Sequence, residues 1–263
     1  MKFIKLLIVT LSMLLTLGSL NIYAEEEKPT ASADVGVFSK YIWRGYELSD
    51  DSLVVQPSVT VAYQGFSVNV WANADTAFDD RDPTTDDKSQ LTETDLTLGY
   101  DHSFGSVGVG VGYIYYGLDG IDDSEELYLS VGLDVLLAPT LTIYREISHL
   151  PGWYLNLGIS YSFELPKDIS LDLSGSIGYY YSDDDAFVEI DDRLNATTNK
   201  YQALHDGMLS AGLTIPLGKY MSITPSVSYT FPLSDDADNL LTSSSFSNDS
   251  DFLYGGVTLS IAF

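Results

Sequence analysis

The chain has 263 residues, with 38 Asp and Glu against 12 Lys and Arg, a formal net charge of −26 and no Cys. This acidity excludes a non-specific nucleic-acid binder, which needs a basic surface to displace counterions, so no nucleic-acid partner is expected. The lack of Cys excludes disulfide frameworks, thiol catalysis and Cys-ligated metal sites.

The N-terminal segment has the pattern of a Sec signal peptide. Lys2 and Lys5 precede an apolar run over residues 6–20, and Ala24 ends the segment with a small residue. The run is shorter than the ~18–20 apolar residues of a membrane-spanning helix, so cleavage after Ala24 is predicted. The expected organisation is a cleaved signal peptide at 1–24, a short acidic segment at 25–31 and one folded unit at 32–263.

After this leader, apolar residues recur at every second position. In residues 107–115 every odd position is apolar, and the same period holds in 127–135, 153–163, 169–181 and 221–231. Period two indicates strands with one apolar face. The other face is mostly Gly, Ser, Thr, Asn and Asp, which suits the inside of a membrane barrel better than a soluble sheet.

The alternation predicts an all-β fold, a transmembrane antiparallel up-and-down barrel of about twelve strands, with ten or fourteen as alternatives. The predicted strands are 32–44, 53–64, 66–76, 91–102, 106–116, 126–137, 140–148, 152–164, 169–181, 205–217, 220–232 and 251–263. Most match the ~9–11 residues that a tilted membrane strand needs. Short turns alternate with longer connections, which is typical of outer-membrane barrels with periplasmic turns and extracellular loops.

Aromatic residues near both ends of these strands predict two interfacial girdles. Tyr41, Trp43 and Trp153 belong to the predicted outer girdle, and Phe66 and Phe163 to the periplasmic one. The connection 45–52 shows nothing unusual, whereas the loop 182–204 is long enough to fold partly over the mouth.

The C-terminus alternates apolar residues up to a terminal Phe. Val257, Leu259, Ile261 and Phe263 make this pattern, which resembles the signal read by the barrel assembly machinery. Together with the leader, it predicts a bacterial outer-membrane protein in contact with outer-membrane lipids and lipopolysaccharide.

Three segments resemble the opening of a known family. Residues 39–49 (SKYIWRGYELS) contain an aromatic-Arg-Gly step, 54–58 (VVQPS) contain a Gln, and 65–73 (GFSVNVWAN) form a Gly-aromatic-Val-Trp strand. They resemble Gcw_chp proteins, a set of conserved hypothetical bacterial proteins regarded as outer-membrane barrels. The resemblance covers about residues 33–73, and it implies the fold but no substrate.

The strand phases predict which charged and amide side chains point into the lumen. If Tyr41 and Trp43 face lipid, Arg44 faces the lumen, where Asp75 and Glu93 are its expected partners. The candidate lumen residues are Lys40, Arg44, Asn69, Asn73, Asp75, Glu93, Asp95, Asp134, Glu146 and Asp172.

The predicted function is a narrow, acidic, water-filled pore for the passive passage of small polar or cationic solutes. The alternative is that the lumen charges pair and close it, which would give a non-conducting structural or surface-interaction barrel. No enzymatic activity is expected, because Ser148 and His149 are sequence neighbours and would point in opposite directions on a strand.

Pairs and triplets of acidic residues mark the predicted external loops. They are Asp50-Asp51, Asp79-Asp80, Asp86-Asp87, Asp122-Asp123, Glu125-Glu126, Asp183-Asp184-Asp185, Asp191-Asp192 and Asp235-Asp236. Carboxylates such as Asp183, Asp184 and Asp185 are candidate ligands for Ca²⁺, held directly or by bridging to lipopolysaccharide phosphates. The alternative is that these loops are simply solvated. No other cofactor is expected.

Overall fold

The computed structural model describes residues 28–76 and 90–263. The predicted signal peptide, residues 25–27 of the acidic segment, and the acidic pairs at 79–80 and 86–87 lie outside these residues. The strands are β1 Thr30–Phe38, β2 Ile42–Trp43, β3 Tyr46–Glu47, β4 Val54–Tyr63, β5 Phe66–Asp75, β6 Gln90–Phe104, β7 Val107–Leu118, β8 Ser124–Leu133, β9 Thr140–Glu146, β10 Gly152–Glu164, β11 Ser170–Ser182, β12 Val188–Ile190, β13 Ala196–Lys200, β14 Gln202–Pro216, β15 Met221–Pro232 and β16 Phe252–Ala262, and the helix α1 is Asp235–Ser244.

Twelve of these strands close into one antiparallel barrel. The order around the wall is β1, β4 to β11, β14, β15 and β16, and β16 pairs with β1. Successive wall strands in the sequence are hydrogen-bonded to each other. The small hairpins β2–β3 and β12–β13 interrupt this order without joining the wall, and the pair β16–β1 closes it. The predicted twelve-stranded up-and-down barrel is therefore confirmed. Closure satisfies the backbone groups of every wall strand, as a lipid environment requires.

The outer surface of the wall is a band of aliphatic side chains. Leu157 lies between its cross-strand partners Leu141 and Ile177, and each of the three is about two-fifths or more exposed. Their sequence neighbours on the same strands face inward and carry small or polar side chains. The alternation thus separates a surface suited to lipid from a polar interior.

The C-terminal residue completes the seam of the barrel. The Ala31 N–H donates to the Phe263 carbonyl (2.9 Å), and the Phe263 N–H donates to the Ala31 carbonyl (3.0 Å). Val257 and Leu259 face outward from β16. Recognition of this strand, with Ile261 and Phe263, by an assembly machinery stays a prediction.

Three longer connections fold at the end of the barrel opposite the short turns. They contain the β2–β3 hairpin, the β12–β13 hairpin and α1. The Ser234 hydroxyl caps α1 by accepting from the Ala237 N–H, and the helix buries its own Leu240 and Leu241. Within residues 28–76 and 90–263, no helix has the length and apolar character that a membrane-spanning helix needs.

The first strand is shorter than predicted. It ends at Phe38, and the chain then leaves the wall until β4 begins at Val54. Between them, Arg44 (φ 49°) and Gly45 (φ 83°) form the two-residue turn of the β2–β3 hairpin. Positive φ at both positions is the geometry of a type I′ turn, which matches the twist of its strands. The predicted strand 32–44 therefore merged a wall strand with half of this hairpin.

An introduced Arg should destabilise the barrel more on the lipid-facing surface of the wall than on its lumen surface. We expect Leu157→Arg to destabilise the barrel by about 2–4 kcal/mol, since an Arg near the middle of the lipid-facing band must leave the hydrocarbon. The control Ser174→Arg places the same charge on the lumen face, where water solvates it. Equilibrium unfolding from lipid vesicles measures both, and equal losses would contradict the assigned faces.

Candidate functional site

Residues 39–53, here called the plug segment, fold into the outer half of the lumen. Tyr41, Arg44, Glu47 and Ser49 are all buried, although they lie in a connection between strands. The turn is enclosed as well, because a Cβ added to Gly45 would lie 3.0 Å from Leu241 Cδ1 of α1. Residues 45–49 of the connection 45–52 are thus buried or half-buried inside the mouth, contrary to the sequence prediction, whereas Asp50 and Asp51 are exposed.

The centre of the site is an ion pair between the plug segment and the wall. Arg44 Nη1 donates to Glu126 Oε1 (2.8 Å), and Nη2 donates to Oε2 (2.7 Å). The Tyr116 hydroxyl donates to Glu126 Oε2 (2.9 Å). Arg44 and Glu126 are each 2% exposed, so this two-pronged pair is shielded from water. Charge-assisted bidentate pairs of this kind are strong and directional.

Aromatic rings enclose the same guanidinium. Arg44 Cζ lies 4.2 Å from the ring centroid of Tyr154, 4.7 Å from that of Tyr144 and 4.4 Å from that of Trp43. These distances are within the range of cation–π attraction, which is largest where water is excluded. Arg44 therefore has a carboxylate at its edge and aromatic faces around its plane.

Tyr144 and Tyr154 belong to a row of tyrosines on the inner wall, here called the tyrosine row. Tyr128, Tyr144, Tyr154 and Tyr180 are direct cross-strand partners on β8 to β11, with successive ring centroids 6.1, 6.0 and 5.7 Å apart. Sequence reasoning missed this row. A signal was present, because each of these Tyr residues has an even number and so falls in the inward phase of its predicted strand.

Inward glycines give these rings their space. A Cβ on Gly112 would lie 2.4 Å from Tyr128 Cε1, and one on Gly178 would lie 2.5 Å from the Tyr154 hydroxyl. The tyrosine rings therefore lie against the wall at positions where the neighbouring strand has a glycine and so no side chain. The small residues that indicated an open interior serve instead, in the outer half, to accommodate aromatic rings.

A second ion pair lies within the plug segment near the mouth. Lys40 Nζ donates to Glu47 Oε1 (2.6 Å) and to Asp51 Oδ1 (3.2 Å). The N–H and hydroxyl of Ser247 donate to Glu47 Oε2 at 2.9 and 2.8 Å. Burial acts to raise the pKa of Glu47, but these donors outweigh it and lower the pKa below its usual value. Glu47 thus stays ionised while it ties the plug segment to the connection after α1.

His205 of β14 fixes the backbone of the turn. Its Nε2 lies 3.0 Å from the Arg44 carbonyl, and its Nδ1 lies 2.6 Å from the Tyr201 hydroxyl. Because a carbonyl can only accept, Nε2 carries the proton and Nδ1 accepts from Tyr201. Both ring nitrogens are engaged and the side chain is fully buried, so it is not placed to act as a base.

The predicted lumen residues of β5 and β6 point inward in the structure. Asn69 Nδ2 donates to Thr60 Oγ1 (2.8 Å), and Asn73 donates to Thr92 Oγ1 (2.8 Å). The others on these strands face the same space: Asp75 is fully buried, and Glu93 lies against Asp95 and the plug residue Tyr41.

Of the remaining predicted lumen residues on the wall, two face inward and one does not. Glu146 faces inward at the outer rim, where its Oε1 accepts from Ser148 and His149. Asp172 faces inward and accepts from the hydroxyls of Ser162, Ser170 and Thr214. Asp134 was predicted to face the lumen, but it is exposed in the turn after β8, because that strand ends at Leu133.

Three details of the sequence prediction are wrong. Tyr41 and Trp43 contact inner rings, those of Trp71 (5.5 Å) and Tyr116 (6.1 Å), rather than lipid. The partner of Arg44 is Glu126 instead of Asp75 or Glu93. Glu126 itself belongs to β8 rather than to an external loop, since this strand begins at Ser124.

The candidate calcium ligands have other partners in the structure. Asp183 pairs with Arg145, Asp185 Oδ1 lies 2.8 Å from Lys200 Nζ, and Asp184 Oδ1 accepts from the Ala186 N–H (2.7 Å). In the part of the chain that the structure describes, no three His, Cys, Asp or Glu side chains converge as a metal site would require. Calcium binding by these loops stays a prediction.

In the part of the chain that the structure describes, the wall presents carboxylates to the lumen but neither Lys nor Arg. In the described barrel strands the only Lys or Arg is Arg145, which pairs in register with the outward Leu127 and Trp153. The carboxylates on inward positions are Asp34, Asp75, Glu93, Asp95, Asp101, Glu126, Glu146, Glu164, Asp172 and Asp206. Among the described residues, the positive charges inside the mouth therefore come from the plug segment.

Comparisons with known proteins agree with this architecture. A family model described as "Bacterial protein of unknown function (Gcw_chp)" matches residues 24–179. Among solved structures, one titled "KdgM porin" is similar at 13% identity with a TM-score of 0.53, covering 88% of this chain and 99% of that one. The "NanC porin" structure is similar at 8% identity with a TM-score of 0.52, covering 88% and 98%. No curated protein matches the sequence. At these identities the likeness is one of fold.

Loss of the buried ion pair should lower the free energy of unfolding far more than loss of an exposed pair. We expect Glu126→Gln to cost about 3–5 kcal/mol, because it leaves the Arg44 guanidinium buried without its counter-charge. The matched control is Asp183→Asn, which breaks the pair with Arg145 at the rim, where the side chains are 29% and 37% exposed; its cost should be only about 0–1 kcal/mol.

Two measurements check this contrast. Equilibrium unfolding in lipid vesicles gives the free energies, and trypsin cleavage after Lys40 or Arg44 reports release of the plug segment. Equal cleavage of the two variants would show that Glu126 does not hold the segment in place.

Proposed function

This chain belongs to the Gcw_chp family of bacterial proteins of unknown function, and we propose that it is an outer-membrane channel for small polar or cationic solutes. In the conformation described, its outer half is closed by the plug segment. The proposal includes export by the Sec signal peptide, insertion by the barrel assembly machinery, and contact with lipopolysaccharide. The aliphatic outer band and the alternating C-terminal strand support this location.

The observation that carries the proposal is the charge of the inner wall. In the described strands its inward positions hold ten carboxylates and neither Lys nor Arg. A water-filled passage with walls of one sign concentrates ions of the opposite sign and repels like ones. The remaining inward side chains are mainly Ser, Thr, Asn and Gly, which can hydrogen-bond to a polar solute and leave room for it.

The plug segment is attached in a way that allows it to move. Phe38 and Val54 are direct cross-strand partners, so the β1–β4 ladder is complete without residues 39–53. Backbone hydrogen bonds anchor the two ends of the segment, from the Ser39 N–H to the Gly255 carbonyl and from the Thr76 N–H to the Leu53 carbonyl. Between these ends it is held mainly by the side-chain contacts of Arg44 and Glu47. Its displacement would open the outer half while every wall strand stays paired.

The alternative, a non-conducting structural or surface-interaction barrel, is favoured by the same occlusion. The buried pair of Arg44 and Glu126 and the rings around it fill the outer half, as in a permanently closed barrel. In that case the acidic loops would be the functional surface, in contact with divalent cations or lipopolysaccharide. The two proposals differ in what happens when the plug segment is removed.

Removing the plug segment should produce a cation-preferring conductance. Because Phe38 and Val54 already pair, residues 39–53 can be replaced by a two-residue Asn-Gly turn without disturbing the barrel. In planar bilayers we expect this variant to show larger and steadier unit currents than the native chain, with reversal potentials in a salt gradient that favour cations over anions.

In the matched control, the end of the β12–β13 hairpin is replaced by the same two-residue turn, because that hairpin is not part of the wall. The currents of this control should equal those of the native chain. A correctly folded plug-deleted barrel that passes no current would overturn the channel proposal and support the structural alternative. A preference for anions would also contradict it.

A further inference from the structure

We propose that the pocket around Arg44 is a binding site for guanidinium-bearing solutes, which the plug segment fills with its own arginine when no solute is bound. The inference rests on the proposed function in one respect, because the solute reaches the pocket through the lumen. It names the chemical class of solute that the channel admits.

The wall, rather than the plug segment, builds most of this pocket. Glu126 on β8 supplies both acceptor oxygens, and Tyr116 on β7 orients one of them through its hydroxyl. Tyr144 on β9 and Tyr154 on β10 supply the aromatic faces. Only Trp43 comes from the plug segment. The pocket therefore persists on rigid strands when the segment moves away.

The environment of Glu126 explains why the pocket requires a cation. Glu126 faces Glu146 directly across the β8–β9 ladder, and like charges opposite each other are unfavourable. Glu146 is compensated by Ser124, Ser148 and His149, whereas the cation at Glu126 is Arg44. If Arg44 left without replacement, a buried carboxylate would lose its counter-charge. Exchange with a second cation avoids this cost, so a solute of the right shape can displace the plug segment.

The geometry selects guanidinium over ammonium. Two parallel N–H groups meet the two oxygens of Glu126, which a planar fork can provide and an ammonium cannot. The flat guanidinium also stacks on Tyr144 and Tyr154. Lys40, the other plug cation, lies outside this pocket and pairs with Glu47 and Asp51. An arginine-like or other guanidinium compound is thus the expected occupant.

The test empties the pocket and offers it a small ligand. Arg44→Gly removes the side chain and suits the positive φ at this position. The full chain carrying this substitution is titrated in detergent with guanidinium chloride, at concentrations too low to unfold it, and tryptophan fluorescence is followed. We expect a saturable response, with methylammonium chloride at least about tenfold weaker, the equivalent of one charge-assisted hydrogen bond.

Two variants provide the controls. Arg44→Gly combined with Glu126→Gln should lose the response, and Arg145→Ala, which removes an arginine that stacks on the outward Trp153, should behave as the native chain does. An equal response to guanidinium and methylammonium, or a response that survives loss of the Glu126 charge, would overturn the proposal.

A second measurement uses the native chain, in case Arg44→Gly does not fold. Guanidinium chloride should increase cleavage after Lys40 by a lysyl endopeptidase, relative to sodium chloride at the same ionic strength, because it displaces the plug segment. Unchanged cleavage together with the absence of binding would overturn the inference. Binding is measured without ion flow, so its failure is distinct from silence of the plug-deleted barrel in bilayers, which rejects the channel itself.

Discussion

The structure depends on the need of one buried carboxylate for a cation. Glu126 projects from the barrel wall into a space that water does not reach, directly opposite Glu146 on the neighbouring strand. The desolvation penalty for such a charge is several kcal/mol unless a partner meets it with good geometry. Arg44 meets it with two hydrogen bonds, and to do so the chain after β1 must turn back into the barrel. The plug segment, its tight turn and the packing of α1 over it all follow from this pairing.

The barrel and the plug segment are held by different kinds of interaction. The wall depends on backbone hydrogen bonds that close on themselves and on an aliphatic surface suited to lipid, so it is stable as a unit. The plug segment depends on a few ion pairs and ring contacts that are strong while dry and weaken once water enters. This difference would allow the plug segment to move while the wall stays fixed, as the proposed channel requires.

The tyrosine row links the two parts. Tyrosine presents a flat apolar face and a polar hydroxyl, so it can pack against the Arg44 guanidinium and still form hydrogen bonds. The row lies on successive strands because inward glycines, such as Gly112 and Gly178, leave the space that its rings occupy. Near Arg44, the small residues of the inner face thus allow aromatic rings to surround a charge.

The sequence by itself determined the barrel. Strict alternation from residue 107 to 116 or from 152 to 164 predicts strands and their lipid-facing side, since a strand in a membrane wall has little choice of pattern. It also placed Asn69, Asn73 and Asp172 on the inner face. Only the tertiary structure decided the site. The path of residues 39–53 depends on contacts with β8, β14 and α1, which are far away in sequence. The alternation of apolar residues also cannot reveal that the first strand ends at Phe38 and that a separate hairpin begins at Ile42. The pairing of Arg44 with Glu126 spans 82 residues, and it arises because closure of the barrel brings β8 to face the segment after β1.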